Sequence, residues 1–408
     1  MKSAAADLEL LRRGAVDVIE VAELARKAAR GPLTVKVGFD PSAPDIHLGH
    51  TVVLRKMRHF QSQGHRVVFV IGDFTGMIGD PSGKKTTRPQ LTREEVEANA
   101  KTYTDQAFRI LDPEKTIVEF NSRWLSALGA EGFVRLAGRV TVARILERDD
   151  FQKRWAARQP ISLHELLYPL AQGYDSVALK ADVELGGTDQ LFNLLLGRDL
   201  MREHGLEPQV VLTLPLLVGT DGVEKMSKSL GNAIGISEPP AEIYGKLMSI
   251  PDSLMWSYFE LLTDVPAREI AARKGRVESG ALHPRDVKAE LARSITAEFQ
   301  GQEAGRRAEE DFRKAFSMGG LPEVLDRKSV PESAREWGAA RILLETGLAS
   351  SMREARRKIA EGALEVYQSG YGYPAAPIRE PNQKILADGA RVLRLGRRFL
   401  YVDPESGN

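Results

Sequence analysis

The chain contains no cysteine, no long apolar run and almost no net charge. Without cysteine it forms no disulfide, has no thiol nucleophile and offers no cysteine ligand to zinc. It also lacks the roughly 18 consecutive apolar residues that a membrane-spanning helix needs, and its charged N-terminal stretch does not read as a targeting segment. The 57 basic and 56 acidic residues give a net charge of +1, so any nucleic acid must be bound by local basic patches. We therefore expect a cytoplasmic protein with no membrane partner.

Apolar stretches rich in Val, Ile and Phe alternate with segments of helical periodicity between Leu33 and Leu217. The stretches 33–39, 66–71, 116–120 and 209–214 predict strands, and 51–63, 94–111, 166–178 and 189–203 predict helices. This alternation is typical of an α/β fold with a doubly wound, Rossmann-type parallel sheet and helices on both faces. Such sheets bind ligands beyond the carboxyl ends of their strands.

The rest of the chain has a different character. Strand patterns end near Ile236, and prolines separate helical segments up to Leu321, which predicts a small all-helical domain. A proline-containing stretch of mixed charge predicts a linker, and two helices followed by short strands predict a C-terminal α+β module. The expected bounds are 1–219 for the Rossmann-type domain, 220–234 for a loop, 235–321 for the helical domain, 322–335 for the linker and 336–408 for the C-terminal module.

Two histidines follow the first predicted strand, in the sequence Asp45-Ile46-His47-Leu48-Gly49-His50. If a helix begins near His47, both imidazoles lie on its first turn, where unpaired backbone N–H groups favour anions. The two histidines would then form a phosphate site, and Gly49 would let a flat ring such as adenine lie close to the backbone. Incidental surface or capping histidines are the alternative.

A second basic sequence, Lys225-Met226-Ser227-Lys228-Ser229, lies between glycine-containing turns far along the chain. Two lysines on such a loop can move onto a polyphosphate, although a solvated basic turn is the alternative. Together the His-x-Gly-His and Lys-Met-Ser-Lys-Ser sequences resemble the signatures of class I aminoacyl-tRNA synthetases. Over nearly the whole chain, the sequence resembles the bacterial tyrosyl-tRNA synthetase family.

The resemblance implies a tyrosine–tRNA ligase reaction. L-tyrosine reacts with ATP to give tyrosyl-adenylate and pyrophosphate, and the tyrosyl group then passes to the 3′ end of tRNA(Tyr). The nucleophile is the substrate's own carboxylate, so the protein's task is to align two anions and stabilise phosphate charge. The family also implies Mg²⁺ carried with the ATP, no tightly bound prosthetic group, a homodimer and no DNA partner. We see no metal site in the protein itself.

The resemblance implies that basic and hydroxyl side chains bind the phosphates of ATP. The catalytic positions are His47, His50, Lys225, Lys228, Lys84 and Arg88. Lys84 and Arg88 lie on a basic loop that would close on pyrophosphate in the transition state, for which an ordinary exposed turn is the alternative. The same resemblance assigns the binding of ATP to Ser42, His47, Gly49, His50, Gly187, Asp189, Met226 and Lys228. Asp189 would accept hydrogen bonds from the ribose, unless it is only a helix N-cap.

Tyr168, Gln172 and Asp175 are spaced four and three residues apart, so they share one face of a predicted helix. On the residues alone such a polar face is more often exposed to solvent. The resemblance makes Asp175 the acceptor from the substrate phenol, which discriminates against phenylalanine because an unpaired buried acceptor is costly. The full set that the resemblance assigns to tyrosine is Lys36, Asp40, Thr75, Asp80, Asn121, Tyr168, Gln172, Asp175 and Gln190. Lys36 stands where many family members have a tyrosine, and we expect it to pair with Asp175 or Asp40.

Four basic residues lie on a predicted helix of the C-terminal module, which runs from Ser351 to Gly362. They are Arg353, Arg356, Arg357 and Lys358. A basic helix is usually a solvated face, but this module resembles the small RNA-binding module of ribosomal proteins and bacterial tyrosyl synthetases. We therefore expect these residues to bind RNA.

Three other functions remain open at this stage. A tryptophanyl-tRNA synthetase shares the catalytic fold and both signature sequences, but it lacks the C-terminal module. A small-molecule nucleotidyltransferase also uses His-x-Gly-His, although it needs no RNA-facing domains. An RNA-binding or splicing accessory protein descended from a synthetase would be free to lose the histidines and lysines. All synthetase readings require His47, His50, Lys225 and Lys228 to converge in space.

Overall fold

The computed structural model describes residues 4–41, 45–81, 92–317, 326–368, 378–387, 389, 391–396 and 398–405. Its internal contacts divide the chain into two compact units. The first unit comprises Met1–Glu238 and Ser249–Leu291, and the second comprises Pro239–Met248 and Ala292–Asn408. The finer domain bounds given by the sequence stay a prediction.

The helices and strands are as follows, in chain order. The helices are α1 (Ala4–Arg12), α2 (Val21–Ala28), α3 (Leu48–Ser62), α4 (Thr75–Ile78), α5 (Arg93–Ala107), α6 (Ser122–Ala137), α7 (Val142–Ile145), α8 (Asp149–Ala156), α9 (Tyr168–Leu179), α10 (Leu191–Glu203), α11 (Pro240–Ser249), α12 (Met255–Leu262), α13 (Ala267–Glu278), α14 (Pro284–Gln300), α15 (Gln302–Ser317), α16 (Ala339–Glu345) and α17 (Met352–Ala360). The strands are β1 (Asp17–Ile19), β2 (Thr34–Phe39), β3 (Arg66–Ile71), β4 (Thr116–Phe120), β5 (Val183–Gly187), β6 (Val210–Leu214), β7 (Arg327–Pro331), β8 (Leu364–Gln368), β9 (Arg391–Leu395) and β10 (Arg398–Glu405).

The first unit contains a six-stranded sheet in the order β1-β6-β5-β2-β3-β4. The last five strands in this order run parallel, and only β1 is antiparallel to its neighbour β6. Strands β3 and β6 are buried on both faces, as their continuous apolar sequences require for a sheet covered by helices. The predicted Rossmann-type fold is therefore confirmed. From β2 the chain adds β3 and β4 on one side, and then β5 and β6 on the other side. The order of the strands therefore reverses between β2 and β5, and ligands bind at such a switch point.

Helices α9 and α10 approach each other closely at two glycines. A Cβ atom on Gly173 would lie 3.2 Å from the Cα atom of Gly197 and 2.9 Å from the side chain of Leu200. Any larger side chain at Gly173 would push the two helices apart. The small residues thus fix the position of α9, whose inner face contributes to the cavity described below.

The second unit contains a four-stranded sheet in the order β7-β10-β9-β8. Its core includes apolar residues from α16 and α17, such as Leu343 and Ile359. The predicted helices and strands of the C-terminal module are present. Strand β7, however, lies inside the segment predicted as a linker and pairs in parallel with β10. Within β7 only Val330 is buried, so its sequence gives no alternating pattern that predicts a strand.

Within the described ranges, no helix combines the length and the apolar character needed to cross a membrane.

Candidate active site

A cavity of about 300 Å³ lies in the first unit, at the carboxyl ends of β2 and β5 where the strand order reverses. It is bounded by residues from the first signature sequence, the second signature sequence and α9. The sequence-predicted residues that line it are Asp40, His47, Gly49, His50, Thr75, Asp80, Asn121, Tyr168, Gln172, Asp175, Gly187, Asp189, Gln190, Lys225 and Met226. The structure therefore brings together in one cavity residues that the sequence holds far apart.

The two signature histidines cap helix α3. His47 is the N-cap residue, and its Nδ1 accepts a hydrogen bond from the Gly49 backbone N–H at 3.1 Å. In return, Nδ1 of His50 accepts from the His47 backbone N–H at 3.2 Å. The two rings lie 4.0 Å apart, centroid to centroid. The reciprocal pattern is a capping box built from imidazoles, which satisfies two helix N–H groups that would otherwise lack partners.

Both histidines are neutral donors to the cavity. Burial, with smaller contributions from the neighbouring His50 and Lys228, lowers the pKa of His47 to about 2. Burial and Lys228 also lower the pKa of His50 to about 4. Because Nδ1 of each ring accepts a backbone hydrogen bond, the single proton of each neutral imidazole is on Nε2. Each ring is thus fixed as an Nε2–H donor.

Gly49 is needed for this arrangement. A Cβ atom there would lie 2.9 Å from Nδ1 and Cε1 of His47 and 3.6 Å from Cβ of Met226. The sequence suggests room for a flat ring as the reason for this glycine. The structure adds a local reason, since a side chain at position 49 would displace the capping His47 ring.

The second signature sequence folds back onto the segment that follows β6. The Met226 backbone N–H donates to the Leu217 carbonyl at 2.7 Å, and Val218 pairs with Lys225 in an antiparallel bridge. This pairing brings Lys225 to the cavity, where its Nζ lies 3.2 Å from Oδ2 of Asp189. Lys225 and the predicted ribose acceptor therefore form an ion pair.

Lys228 reaches the first signature sequence. Its Nζ lies 2.7 Å from Oδ2 of Asp45, two residues before His47. Backbone hydrogen bonds join the same two segments, since Leu48 donates to Ile234 at 2.9 Å and Ile236 donates to Ile46 at 3.2 Å. The two signature sequences therefore lie side by side in the described residues, as every synthetase hypothesis requires.

Asp175, on α9, also lines the cavity, and only 2% of its surface is exposed. Its Oδ1 accepts from Nε1 of Trp124 at 2.8 Å, and its Oδ2 accepts from Nδ2 of Asn121 at 3.4 Å. Burial raises the pKa of Asp175 to about 6, although Lys36, Trp124 and Asn121 oppose the increase. At neutral pH the cavity therefore contains a buried, largely ionised acceptor.

Asp40 joins Thr75 and Tyr168 in one hydrogen-bonded group. The Thr75 hydroxyl donates to Oδ1 of Asp40 at 2.6 Å, and the Tyr168 hydroxyl donates to Oδ2 at 2.8 Å. Burial and the nearby Asp40 carboxylate raise the pKa of Tyr168, which keeps the phenol protonated. A Cβ atom on Gly72 would lie 2.1 Å from Oδ1 of Asp40, so glycine is required beneath this group.

A polar network links the predicted tyrosine-binding residues Asp80, Gln172 and Gln190 to side chains that the sequence analysis did not identify. Asp80 accepts from Nε2 of Gln190 at 2.9 Å and lies 3.6 Å from the buried guanidinium of Arg148. Asn193 donates to Gln172 at 2.8 Å and to Gln190 at 3.0 Å, and it accepts from Arg148. Arg148 follows α7 in a charged stretch, and such a sequence is typical of a solvent-exposed segment. Only the burial of Arg148 in the structure reveals its role in the network.

Lys36 pairs with Glu184, so the expected ion pair with Asp175 or Asp40 is wrong. Its Nζ lies 2.7 Å from Oε1 of Glu184, and both side chains are almost fully buried. Because Lys36 and Glu184 are register partners on adjacent strands β2 and β5, the nearest carboxylate is the cross-strand one. Lys36 is also outside the set of residues that line the cavity.

Three predicted site residues, Ser42, Lys84 and Arg88, lie outside the described residues. The predicted RNA-binding residues lie on α17 in the second unit. Arg353 and Arg356 are exposed there, whereas Arg357 pairs with Glu361 and Lys358 pairs with Glu354. Across the part of the chain that the structure describes, no group of three or more His, Asp or Glu side chains is arranged to hold a metal ion.

Comparison with known proteins gives consistent matches. A family model described as tRNA synthetases class I (W and Y) matches residues 27–317. The tyrosine–tRNA ligase of Oleidesulfovibrio alaskensis is 54% identical over 397 residues, which cover 97% of this chain and 98% of that protein. Tyrosine–tRNA ligase 2 of Vibrio cholerae is 55% identical over 369 residues, which cover 90% of this chain and 92% of that protein.

A solved structure is similar in fold. The crystal structure of tyrosyl-tRNA synthetase complexed with L-tyrosine from Archaeoglobus fulgidus matches with a TM-score of 0.63 and covers 75% of this chain and 100% of that chain. Its sequence is 22% identical, so this similarity supports the fold alone.

Proposed function

The chain belongs to the family of class I tRNA synthetases for tryptophan and tyrosine, and from this premise we propose that it is a tyrosine–tRNA ligase. It uses ATP to activate L-tyrosine and transfers the tyrosyl group to the 3′ end of tRNA(Tyr). Relatives that share more than half of its residues over 97% of its length have this name. The tryptophan enzymes of the same family are the second candidate.

One observation supports this function most strongly: the buried carboxylate of Asp175 shares a cavity with His47, His50 and Lys225. A phenol that enters this cavity finds an ionised acceptor, whereas phenylalanine leaves that acceptor without a partner. An indole has one weaker donor, and here Trp124 of the protein already occupies Oδ1 of Asp175 with such a donor. The arrangement therefore favours tyrosine over the other aromatic amino acids.

The proposed first step needs no protein nucleophile. A carboxylate oxygen of tyrosine attacks the α-phosphorus of ATP, the bond from that phosphorus to the bridging oxygen breaks, and pyrophosphate leaves with the electron pair. In the second step a hydroxyl of the terminal tRNA ribose attacks the carbonyl carbon of tyrosyl-adenylate, the bond from that carbon to the phosphate oxygen breaks, and AMP leaves as the hydroxyl proton is released. The chain accelerates the first step by alignment and by stabilising the charge that grows on the phosphates.

The neutral histidines and the lysines have different parts in this stabilisation. His47 and His50 supply fixed Nε2–H donors whose orientation is set by their capping hydrogen bonds. Lys225 and Lys228 supply positive charge from a segment that lies beside them. Fixed donors cost little reorganisation when charge develops, which is the main source of such catalysis. We assign Lys84 and Arg88 to the same charge on the basis of their sequence positions.

At the tyrosine end, Tyr168, Gln172 and Asp80 surround the substrate ammonium group. The support is that Arg148 and Gln190 hold Asp80, and Asn193 holds Gln172. The Tyr168 hydroxyl is held by Asp40. Asp189 accepts the ribose hydroxyls once Lys225 has moved to the phosphates. Mg²⁺ arrives as part of the Mg–ATP substrate, bound through phosphate oxygens.

The remaining partners belong to the same proposal. The exposed Arg353 and Arg356 of α17 bind tRNA phosphates, with the helical segment 235–321 and the C-terminal module 336–408 as the RNA-facing domains. The enzyme works as a cytoplasmic homodimer and does not bind DNA. Large apolar side chains that are mostly exposed occur between β4 and α9, among them Val134, Trp155 and Leu163. Such exposure is typical of an interface.

ATP–pyrophosphate exchange, stimulated by each amino acid in turn, tests the proposal. We expect L-tyrosine alone to stimulate exchange strongly, and we expect tRNA(Tyr) to be charged when it is added. Stimulation by tryptophan instead of tyrosine would identify the chain as a tryptophan–tRNA ligase, the second candidate. The absence of stimulation by any amino acid would contradict both.

A further inference from the structure

A buried ion pair lies directly beneath the tyrosine end of the cavity. Lys36 on β2 and Glu184 on β5 are register partners, and their charged groups are 2.7 Å apart. The Lys36 side chain is fully buried and that of Glu184 is 1% exposed. A buried pair of this kind usually gives little net stability, because desolvation offsets the attraction. Its position therefore calls for another explanation.

The pair is attached to α9 on both sides of Asp175. Oε2 of Glu184 accepts from the hydroxyl of Ser176 and from Nε2 of Gln209, each at 2.7 Å. Nζ of Lys36 donates to the backbone carbonyl of Gln172 at 3.4 Å. Gln172 is three residues before Asp175, and Ser176 is the residue after it. The ion pair thus fixes the turn of α9 that presents Asp175 to the cavity.

The two charges act on Asp175 in opposite directions. Lys36 lowers its pKa and Glu184 raises it, while burial is the largest influence and also raises it. The other groups that face Asp175 are the indole N–H of Trp124 and the amide of Asn121, which both favour the carboxylate. Among the described residues, Lys36 is the cation that lowers the pKa of Asp175, and its Nζ donates to the backbone carbonyl of Gln172 on α9.

Resting on the proposed function, we propose that Lys36 is a positioning residue for substrate selection. It does not touch tyrosine. It holds the turn of α9 between Gln172 and Ser176 and supplies the positive charge that keeps Asp175 a strong acceptor for the phenol. Glu184 holds the Lys36 ammonium in place and limits its effect on Asp175.

Two variants separate this role from a structural one. Lys36→Met/Glu184→Gln removes both charges and leaves no unpaired buried ion. Glu184→Gln alone keeps Lys36, and the amide of Gln209 can rotate to accept from the new amide because its Oε1 has no other partner. The measurement is kcat/KM for tyrosine and for phenylalanine in ATP–pyrophosphate exchange, at pH values from about 5 to 8.5 around the Asp175 pKa of about 6.

The two variants should shift the pH profile in opposite directions. We expect the double variant to need a pH about one unit higher for tyrosine activation, and to lose about fivefold in its preference for tyrosine near pH 6. The Glu184→Gln variant should reach full activity at a lower pH than the unmodified enzyme. Both changes should appear in KM for tyrosine and not in KM for ATP.

Arg154→Met/Glu165→Gln is the matched control. This pair is also buried, with each side chain 2% exposed, and Glu165 lies just before α9. Its loss therefore perturbs the same helix without removing a charge from beneath Asp175. The control should leave the pH profile in place. Equal shifts in all variants, or no shift in the two Glu184 variants, would overturn the proposal. If Glu184→Gln alone does not fold, because it leaves the Lys36 charge buried without a counter-ion, the shift of the double variant decides. An unmodified chain that activates no tyrosine would refute the proposed function itself, and this proposal with it.

Discussion

Asp175→Asn should make the free protein more stable at neutral pH while it weakens the selection of tyrosine. The side chain is 2% exposed, and burial raises its pKa to about 6 from an ordinary value of 3.8. Asparagine has the same shape and can still accept from Trp124, but it has no charge to bury. Alanine would be a poorer test, because it would leave the buried indole N–H of Trp124 without its acceptor.

The size of the effect follows from linkage. A folded pKa of about 6 against 3.8 in the unfolded chain corresponds to about 3 kcal/mol at pH values well above 6. The sign is the reverse of the usual carboxylate case. Here the folded state holds the proton more tightly, so stability is present below pH 4 and is lost as the pH rises through about 6. About half of this loss falls between pH 5 and pH 8.

Urea unfolding of both proteins at pH 5 and pH 8 measures this difference. We expect the free energy of unfolding of Asp175→Asn to exceed that of the unmodified protein by about 1 to 2 kcal/mol more at pH 8 than at pH 5. Other titrating groups cancel, because they are common to both proteins. An identical change with pH in the two proteins would refute the claim that Asp175 is a buried, ionised carboxylate.

The same variant should lose function. A hydrogen bond to a charged acceptor contributes about 1 kcal/mol more than one to a neutral acceptor, and often 2. We therefore expect the preference for tyrosine over phenylalanine in the activation step to fall by about 5- to 30-fold. Unchanged relative rates would exclude Asp175 as the group that recognises the phenol.

Three other predictions concern the phosphate and RNA sites. Gly49→Ala places a Cβ atom 2.9 Å from the His47 ring, so kcat/KM for ATP should fall by about tenfold. Stability should change little, because the gain in helix propensity offsets the damaged cap. Unchanged kinetics would contradict this prediction. Lys84→Ala, outside the described residues, should lower the pre-steady-state rate of activation far more than it weakens ATP binding, and the reverse result would remove this residue from the mechanism. Arg353→Glu/Arg356→Glu should raise KM for tRNA by about tenfold with no effect on ATP–pyrophosphate exchange, and loss of exchange would point to misfolding.

Much of the first unit could be predicted because its information is local. Strands β3 and β6 are continuous apolar runs, and the strands of a covered parallel sheet have this pattern. Strand β1 has only three half-buried residues and exists by pairing with β6, nearly two hundred positions away. Strand β7 likewise depends on β10 for its formation. Short strands of this kind give no periodicity of their own.

The site shows the same division. The histidines and lysines could be predicted because their two sequences resemble family signatures. The shared face of Tyr168, Gln172 and Asp175 follows from helical geometry. The partner of Lys36 was not found, because it depends on β5 lying next to β2 in the sheet, an order that differs from the order along the chain. The network role of Arg148 was missed for a similar reason. Its burial results from packing between segments that the sequence alone does not bring together.

The lysines of the second signature sequence each rest on a carboxylate, Lys225 on Asp189 and Lys228 on Asp45. Each of these ion pairs neutralises one positive charge of this segment. Under the proposed roles, the arrival of ATP exchanges a carboxylate for a phosphate at each lysine, and the same exchange releases Asp189 for the ribose. Loading the nucleotide and preparing its sugar site would then be a single event.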